Sequence, residues 1–199
     1  MTQPPPHDAP ASLERSPELM SANNSVLLVV DVQEKLVPLI PEFEHLIWNI
    51  RRLADGAKIL GVPTLGTEQY PQGLGPTTPA LAEKLGALPA KVSFSCGGCA
   101  PLVAQLQALG RTQVLVVGIE AHVCVLQTVM DLLAAGYRVY VAVDAVGARY
   151  EVDEATALNR MQISGAALVT TEMALFEWCR VAGTPEFKQI SRLVRETRT

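Results

Sequence analysis

No stretch of this 199-residue chain is apolar for long enough to cross a bilayer. Runs such as Val26 to Val30 and Val114 to Val117 fall far short of the roughly 20 residues required, and read instead as buried strands. The chain also lacks any cluster of Lys and Arg. Sixteen basic residues against twenty acidic ones leave a net charge of -4, so no field exists to draw a nucleic-acid backbone or an anionic membrane. The expected partners are a small-molecule substrate and other proteins, with no nucleic acid and no membrane. No G-x-G-x-x-G follows the first apolar run and no G-K-S/T occurs, which removes the usual marks of dinucleotide and nucleotide phosphate binding. The N-terminus has neither the basic start nor the apolar centre of a secretory signal, which predicts a cytoplasmic protein with reduced thiols.

Cysteine is sparse, at four. Cys96-Gly-Gly-Cys99 has the spacing of a redox or metal-binding pair, but a four-cysteine zinc site needs a second such pair, and Cys124 and Cys179 are not spaced to supply it. Nearness to Lys91 puts the pair at the rim of a pocket, open to oxidation.

What the chain does have is 49% hydrophobic residues with only 18% charged, enough for one ordinary domain with a sizeable core. Residues 1–22, rich in Pro, Ser and Ala and without an apolar period, read as a flexible arm ahead of a domain over residues 23–199. From Ser25 onward, β-branched runs alternate with helical stretches. Strands are expected at Val26–Val30, from Pro63 into Thr67, at Lys91–Ser95, Gln113–Gly118, Arg138–Val143 and Ala167–Thr170. Helices are expected at Phe43–Leu60, stopped by Gly61, at Pro101–Leu109, from about His122 to Gly136, from an Asp153 cap to Ser164, and at Glu172–Val181 and Pro185–Thr197. The alternation predicts an α/β fold.

Parallel strands covered on both faces gather ligands at their carboxyl ends, which singles out Asp31, Glu68 and the residues after Gly118. Cys124 lies where a strand gives way to a helix. A helix N-terminus favours negative charge and would lower the thiol pKa there; the alternative is a small buried core residue. Asp31 closes the first strand and is either a helix cap or an acid facing the same edge. Lys91 taken alone is a solvated surface charge unless the fold brings it to the other two.

Three segments resemble the isochorismatase-like cysteine hydrolases in the family's order: V-V-D-V-Q at Val29–Gln33, K-V-S-F-S at Lys91–Ser95 and G-I-E-A-H-V-C-V at Gly118–Val125. The likeness covers roughly Ser25 to Leu175. T-E-Q-Y-P-Q-G-L-G at Thr67–Gly75 and V-D-A-V at Val143–Val146 resemble the subgroup of isochorismatase domain-containing proteins of type 2. The resemblance implies a three-layer α/β/α architecture with a six-stranded, mainly parallel sheet, and a catalytic triad of Asp31, Lys91 and Cys124. It also implies an oxyanion hole from the backbone N–H groups of Glu120 and Cys124 beside a cis peptide between Ile119 and Glu120, and assembly as a homo-oligomer, a dimer or larger.

The implied activity is hydrolysis of a small amide or related C–N substrate through a thioester. Nicotinamidases of this family bind a metal through Asp-x-His and a further His after the second strand. Here that region reads Thr67-Glu-Gln-Tyr-Pro71 and the chain holds only His7, His45 and His122, which predicts a site with no metal and no cofactor. Gln33, Glu68, Tyr70, Phe94 and His122 stand as candidate substrate-binding residues, a plain loop role being the alternative for Glu68 and Tyr70 and a cap or surface role for His122. Two rival readings remain: a non-catalytic interaction protein that keeps the fold, and a thiol redox protein.

Overall fold

The strands β1 (Ser25–Val30) and β4 (Gln113–Ile119) are buried along their whole length, and a strand apolar on both faces needs helices on both sides of its sheet. The computed structural model, which describes residues 13–197, has this arrangement. Four further strands, β2 (Thr64–Gln69), β3 (Ala90–Lys91), β5 (Arg138–Gly147) and β6 (Ala167–Val169), complete one sheet in the order β3-β2-β1-β4-β5-β6. Every pairing is parallel, so the sheet expected to be mainly parallel is parallel throughout.

Alternation along the strands divides the core in two. Leu27, Val29, Leu115 and Val117 pack with Ile50 and Leu53 of α1 (Phe43–Leu60), Leu175 of α7 (Thr171–Cys179) and Ile190 of α8 (Pro185–Val194). Val26, Leu28, Val30, Val114 and Val116 pack on the other side with Leu102 and Leu106 of α4 (Ala100–Ala108), Val129 of α5 (Leu126–Ala134) and Met161 of α6 (Glu151–Ile163). Each fully buried aliphatic side chain contributes about 1.5–3 kcal/mol of transfer free energy.

The first helix runs over the residues its apolar period predicts, and Gly61 ends it at φ 69°, its N–H donating to the Ala57 carbonyl. Other boundaries differ for local reasons. Asp153 is not a cap: α6 begins two residues earlier at Glu151, after Tyr150, and no side chain caps it. Lys91–Ser95 is a strand only at Ala90–Lys91, because the chain then turns so that the Ser93 and Phe94 carbonyls face back toward the Lys91 ammonium. The loop after β2 holds two short helices, α2 (Pro71–Leu74) and α3 (Pro79–Leu85), each opened by a proline that fits the first turn. The helix expected from His122 starts as a π-turn over Ala121–Val125. Of the N-terminal arm, residues 1–12 lie outside the described residues. Within residues 13–22, Met20 is fully buried in the α1 side of the core, its N–H donating to Glu177, while Arg15 donates to the Met20 and Glu177 carbonyls.

The strand order reverses between β1 and β4, and their carboxyl ends open a crevice there. Gly118, paired with Val30, takes φ 117° at this point, and a Cβ on it would come within 2.1 Å of the Val30 carbonyl oxygen. Gly118→Ala therefore combines a disfavoured φ with a backbone clash that no side-chain movement relieves. The expected cost is about 3 kcal/mol or more, read as a large drop in thermal midpoint or as insoluble protein; a midpoint within a degree or two of wild type would contradict this account of the β1–β4 seam.

Candidate active site

Asp31 is the first residue past β1, and its backbone turns at once into the left-handed region, at φ 52°. This aims its carboxyl group across the end of β2 toward β3. Lys91, the last residue of β3, meets it with Nζ 2.7 Å from Oδ2, and neither side chain is reached by solvent. The ammonium also donates to Gln69 Oε1 at 2.8 Å, Phe94 O at 2.8 Å and Ser93 O at 3.1 Å. Four acceptors surround three hydrogens, so Lys91 acts on its surroundings as a fixed charge and has no hydrogen to spare. The second carboxylate oxygen, Oδ1, accepts from Thr67 Oγ1 at 2.8 Å.

The third residue arrives from β4. The Ile119–Glu120 peptide is cis, and the π-turn that follows is held by the Glu120 carbonyl accepting from the N–H groups of Val123 and Val125. Cys124, 5% exposed, is carried by this turn to the Asp31 carboxyl group, close enough for each to act on the other's charge. Burial pushes the Cys124 thiol well above its ordinary value, and the Asp31 carboxylate pushes the same way against the opposing charge of Lys91. Burial likewise raises the Asp31 carboxyl, with Lys91 and the hydrogen bonds opposing. The expectation of a lowered thiol pKa at a helix start is therefore wrong. The thiol sits in a dry turn beside a negative group, and those two effects outweigh the favourable end of a helix.

The structure thus brings Asp31, Lys91 and Cys124 together. It does not bring every other candidate. Gln33 is fully buried and spent on structure: Nε2 donates to Gln69 O and Gly75 O, and Oε1 accepts from Gln69 N, so it pins the loop after β2 and offers no group to a ligand. Glu68 is turned away to Thr77, whose N–H and hydroxyl both donate to its Oε1 at 2.7 Å. Tyr70 and Phe94 are about half exposed, and Tyr70 lines a cleft of about 300 Å³ with Lys91, Val92 and Cys99. His122 lies 3.9 Å from Asp153 through Nε2, and its Nδ1 is buried without a partner among the described residues.

Cys96 and Cys99 are free thiols, each 2% exposed, so neither lies open to oxidation, although Cys99 borders the cleft beside Tyr70 and Lys91. The turn over Cys96–Gly98 tucks both into the core shared with α4 and α5. Sequence reasoning passed over Thr67 and Arg149, the latter donating through Nε to Glu120 Oε1 at 2.8 Å. A Thr and an Arg near strand ends carry no spacing signal; only the shared position at the carboxyl edge could have suggested them, as it did Gln69, a pocket-shaping candidate with a plain loop alternative. A largely apolar cleft of about 310 Å³ between α4 and α5 touches Cys96 but none of the three central residues. Among the described residues, no helix is long and apolar enough to cross a membrane and no group of three or more His, Cys, Asp or Glu is placed to hold a metal.

Comparison with known proteins fits this geometry. The isochorismatase domain model matches residues 25–173. Isochorismatase domain-containing protein 2A of Mus musculus is 42% identical over 176 residues, covering 87% of this chain and 84% of its own. Among solved structures, the MAR1 ribonuclease from Caenorhabditis elegans superposes with a TM-score of 0.84 at 41% identity, over 90% of this chain and 93% of its own. YcaC from Pseudomonas aeruginosa, solved with hexane-2,5-diol and covalent acrylamide, gives 0.81 at 26% identity over 89% and 92%. With a family model spanning most of the chain and relatives above 40% identity over nearly all of it, the protein belongs to the isochorismatase family.

Proposed function

We propose that this protein is a cysteine-dependent hydrolase of a small amide or related C–N substrate, working through a thioester with Asp31, Lys91 and Cys124 as its catalytic residues. The observation that carries the reading is a thiol facing a buried carboxylate that is itself paired with a buried ammonium at the sheet's crevice. The chemistry follows from the proton count. As the sulfur attacks the carbonyl carbon, its proton passes to Asp31; Lys91 keeps the site's charge balanced. The oxyanion is held by the backbone N–H groups of Glu120 and Cys124. On collapse the C–N bond breaks and the amine leaves with the proton from Asp31. Water then gives a proton to the same carboxylate and attacks the thioester, the C–S bond breaks, and the sulfur is reprotonated as the acid departs. No step calls for a metal or cofactor.

YcaC of P. aeruginosa holds covalent acrylamide, a small primary amide, and molecules of this class are proposed to reach Cys124. The nematode relative is called a ribonuclease, but a net charge of -4 without a basic cluster gives a phosphate backbone little to hold, so that activity is not carried over. The proposed setting is a reducing one such as the cytoplasm, where the four free thiols persist. Tyr70, Val92 and Phe94, each more than half exposed, supply apolar surface for assembly as a dimer or larger homo-oligomer. Light scattering should give a multiple of 21.4 kDa; a monomer would remove that part of the reading.

Screening small primary amides for ammonia release tests the activity, and iodoacetamide labelling of Cys124 tests its nucleophile separately. Asp31→Asn should cut ammonia release by about 10²–10⁴, the usual worth of a general base. Labelling should persist or quicken, because a neutral amide no longer repels the thiolate. Lys91→Ala should slow both, the labelling about tenfold for each 1.4 kcal/mol of lost charge stabilisation. Labelling indifferent to Lys91, with no amide turned over, would hand the protein to the non-catalytic reading.

A further inference from the structure

Thr67 has no part in the reaction above, yet its hydroxyl touches the carboxylate that acts as base. It lies in β2 opposite Val30 of β1 and is 1% exposed. Its Oγ1 is 2.8 Å from Asp31 Oδ1 and 3.4 Å from Cys96 Sγ. A hydroxyl has one hydrogen to give, and an ionised carboxylate has none. The Thr67 hydrogen therefore goes to Asp31, and the Cys96 S–H donates to Thr67 Oγ1. The chain of donors has one direction, from Cys96 through Thr67 to Asp31. Cys96 is itself held in place by its backbone N–H, which donates to Thr128 Oγ1 at 2.9 Å.

The titratable groups that bear on Asp31 are few: Lys91 from β3, Cys124 from the π-turn and Cys96 from the turn before α4. Lys91 occupies Oδ2 and is saturated by its other acceptors. Thr67 is thus the donor on the remaining oxygen. At rest, Asp31 and Cys124 share one proton between two arrangements, thiol with carboxylate or thiolate with carboxylic acid. A hydrogen donated to Oδ1 favours the ionised acid over the neutral one, and so favours the first arrangement.

We propose that Thr67, oriented by Cys96, is a positioning residue that keeps the proton shared by Cys124 and Asp31 on the sulfur until a substrate carbonyl is in place. The inference rests on the hydrolase reading. It adds to that reading a resting state in which the nucleophile is masked against chance electrophiles. Only the proton moves in the exchange, from Sγ to an Asp31 oxygen, and no other bond forms or breaks.

The test is the rate of iodoacetamide alkylation of Cys124 in the full chain from pH 4 to 9, followed by peptide mass spectrometry. At pH values where both groups are protonated, the rate rises tenfold per pH unit and depends only on the thiol losing its proton beside a neutral acid, so Thr67 does not enter. Once Asp31 ionises, the rate levels off at a value set by the ratio of the two arrangements. Thr67→Val should leave the rising limb unchanged, lift the plateau up to about tenfold and move the break upward by up to about one pH unit, as loss of one hydrogen bond to a charged group implies. Thr67→Ser and Cys96→Ser should match wild type, and Cys96→Ala should move in the same direction as Thr67→Val by a smaller amount.

A Thr67→Val profile equal to wild type, or lowered by one factor at every pH as for simple loss of packing, would overturn the proposal. Cys96→Ala, which leaves the Asp31 contacts in place, decides the same question by the same criteria if Thr67→Val does not fold. Failure of the hydrolase reading looks different, since labelling would then lose its dependence on Lys91 in an otherwise wild-type chain.

Discussion

The rest of the site is arranged around the Asp31–Lys91 ion pair, from which solvent is fully excluded. Taking two charges out of water costs several kcal/mol for each ion, and their mutual attraction offsets this only when the remaining hydrogen-bonding capacity is also met. That requirement explains local features with no other evident purpose. The third strand stops after two residues because the Ser93 and Phe94 carbonyls must swing round to the ammonium. Gln69 turns its amide oxygen to Lys91 while its amide nitrogen donates to Val92 O. Its backbone is pinned from behind by Gln33, which also grips Gly75 in the following loop. The carboxylate's far oxygen is met by Thr67. Asp31 and its partners therefore order β2, β3 and the intervening loop as one unit, although β3 itself contributes almost nothing to the sheet.

The sheet supplies the other half of the geometry. A crevice opens only where the strand order reverses, between β1 and β4, and the residues just past those two strands are Asp31 and Glu120. Close approach of the two strands depends on Gly118, whose missing side chain leaves room for the Val30 carbonyl. Beyond it the chain winds into a π-turn rather than an ordinary first helical turn, which sets Cys124 over the end of β1. The two halves of the core behind this seam, built on alternate residues of the same strands, hold the strand ends in register from opposite sides.

How much of this is legible in the sequence follows from what each feature depends on. Strands buried on both faces and the long amphipathic α1 announce themselves through periodicity, whereas the sheet order is a tertiary fact that no local pattern carries. Family resemblance supplied the three central residues together; from the residues alone, Asp31 and Cys124 each kept a plain structural alternative and Lys91 read as surface. Gln33 and Glu68 misled because both stand at the expected edge, and only the folded chain reveals that Gln33 spends both amide atoms on Gln69 and Gly75 while Glu68 turns Oε1 to Thr77. The thiol's raised pKa was illegible for the same reason. A helix start is visible in a sequence, whereas dryness and a facing carboxylate are tertiary facts. Cys96 and Cys99 read as a rim pair because they follow Lys91 so closely, yet the glycines between them let the turn fold inward.

Those tertiary facts also weigh between a chemical role and a scaffold. A chain that served only as a shape could fill the positions of Asp31 and Lys91 with apolar residues of similar volume, a replacement that is often neutral or stabilising by 1–4 kcal/mol. This chain instead carries two desolvated charges, surrounds them with enough donors and acceptors to make the burial tolerable, and sets a thiol against the carboxylate. A redox thiol would need the opposite electrostatics, since oxidation begins from the thiolate and an adjacent carboxylate opposes its formation. A sulfur that keeps its proton, beside an acid able to take it and a cation that stabilises the charge left behind, suits a reaction in which proton transfer and bond formation to carbon occur together.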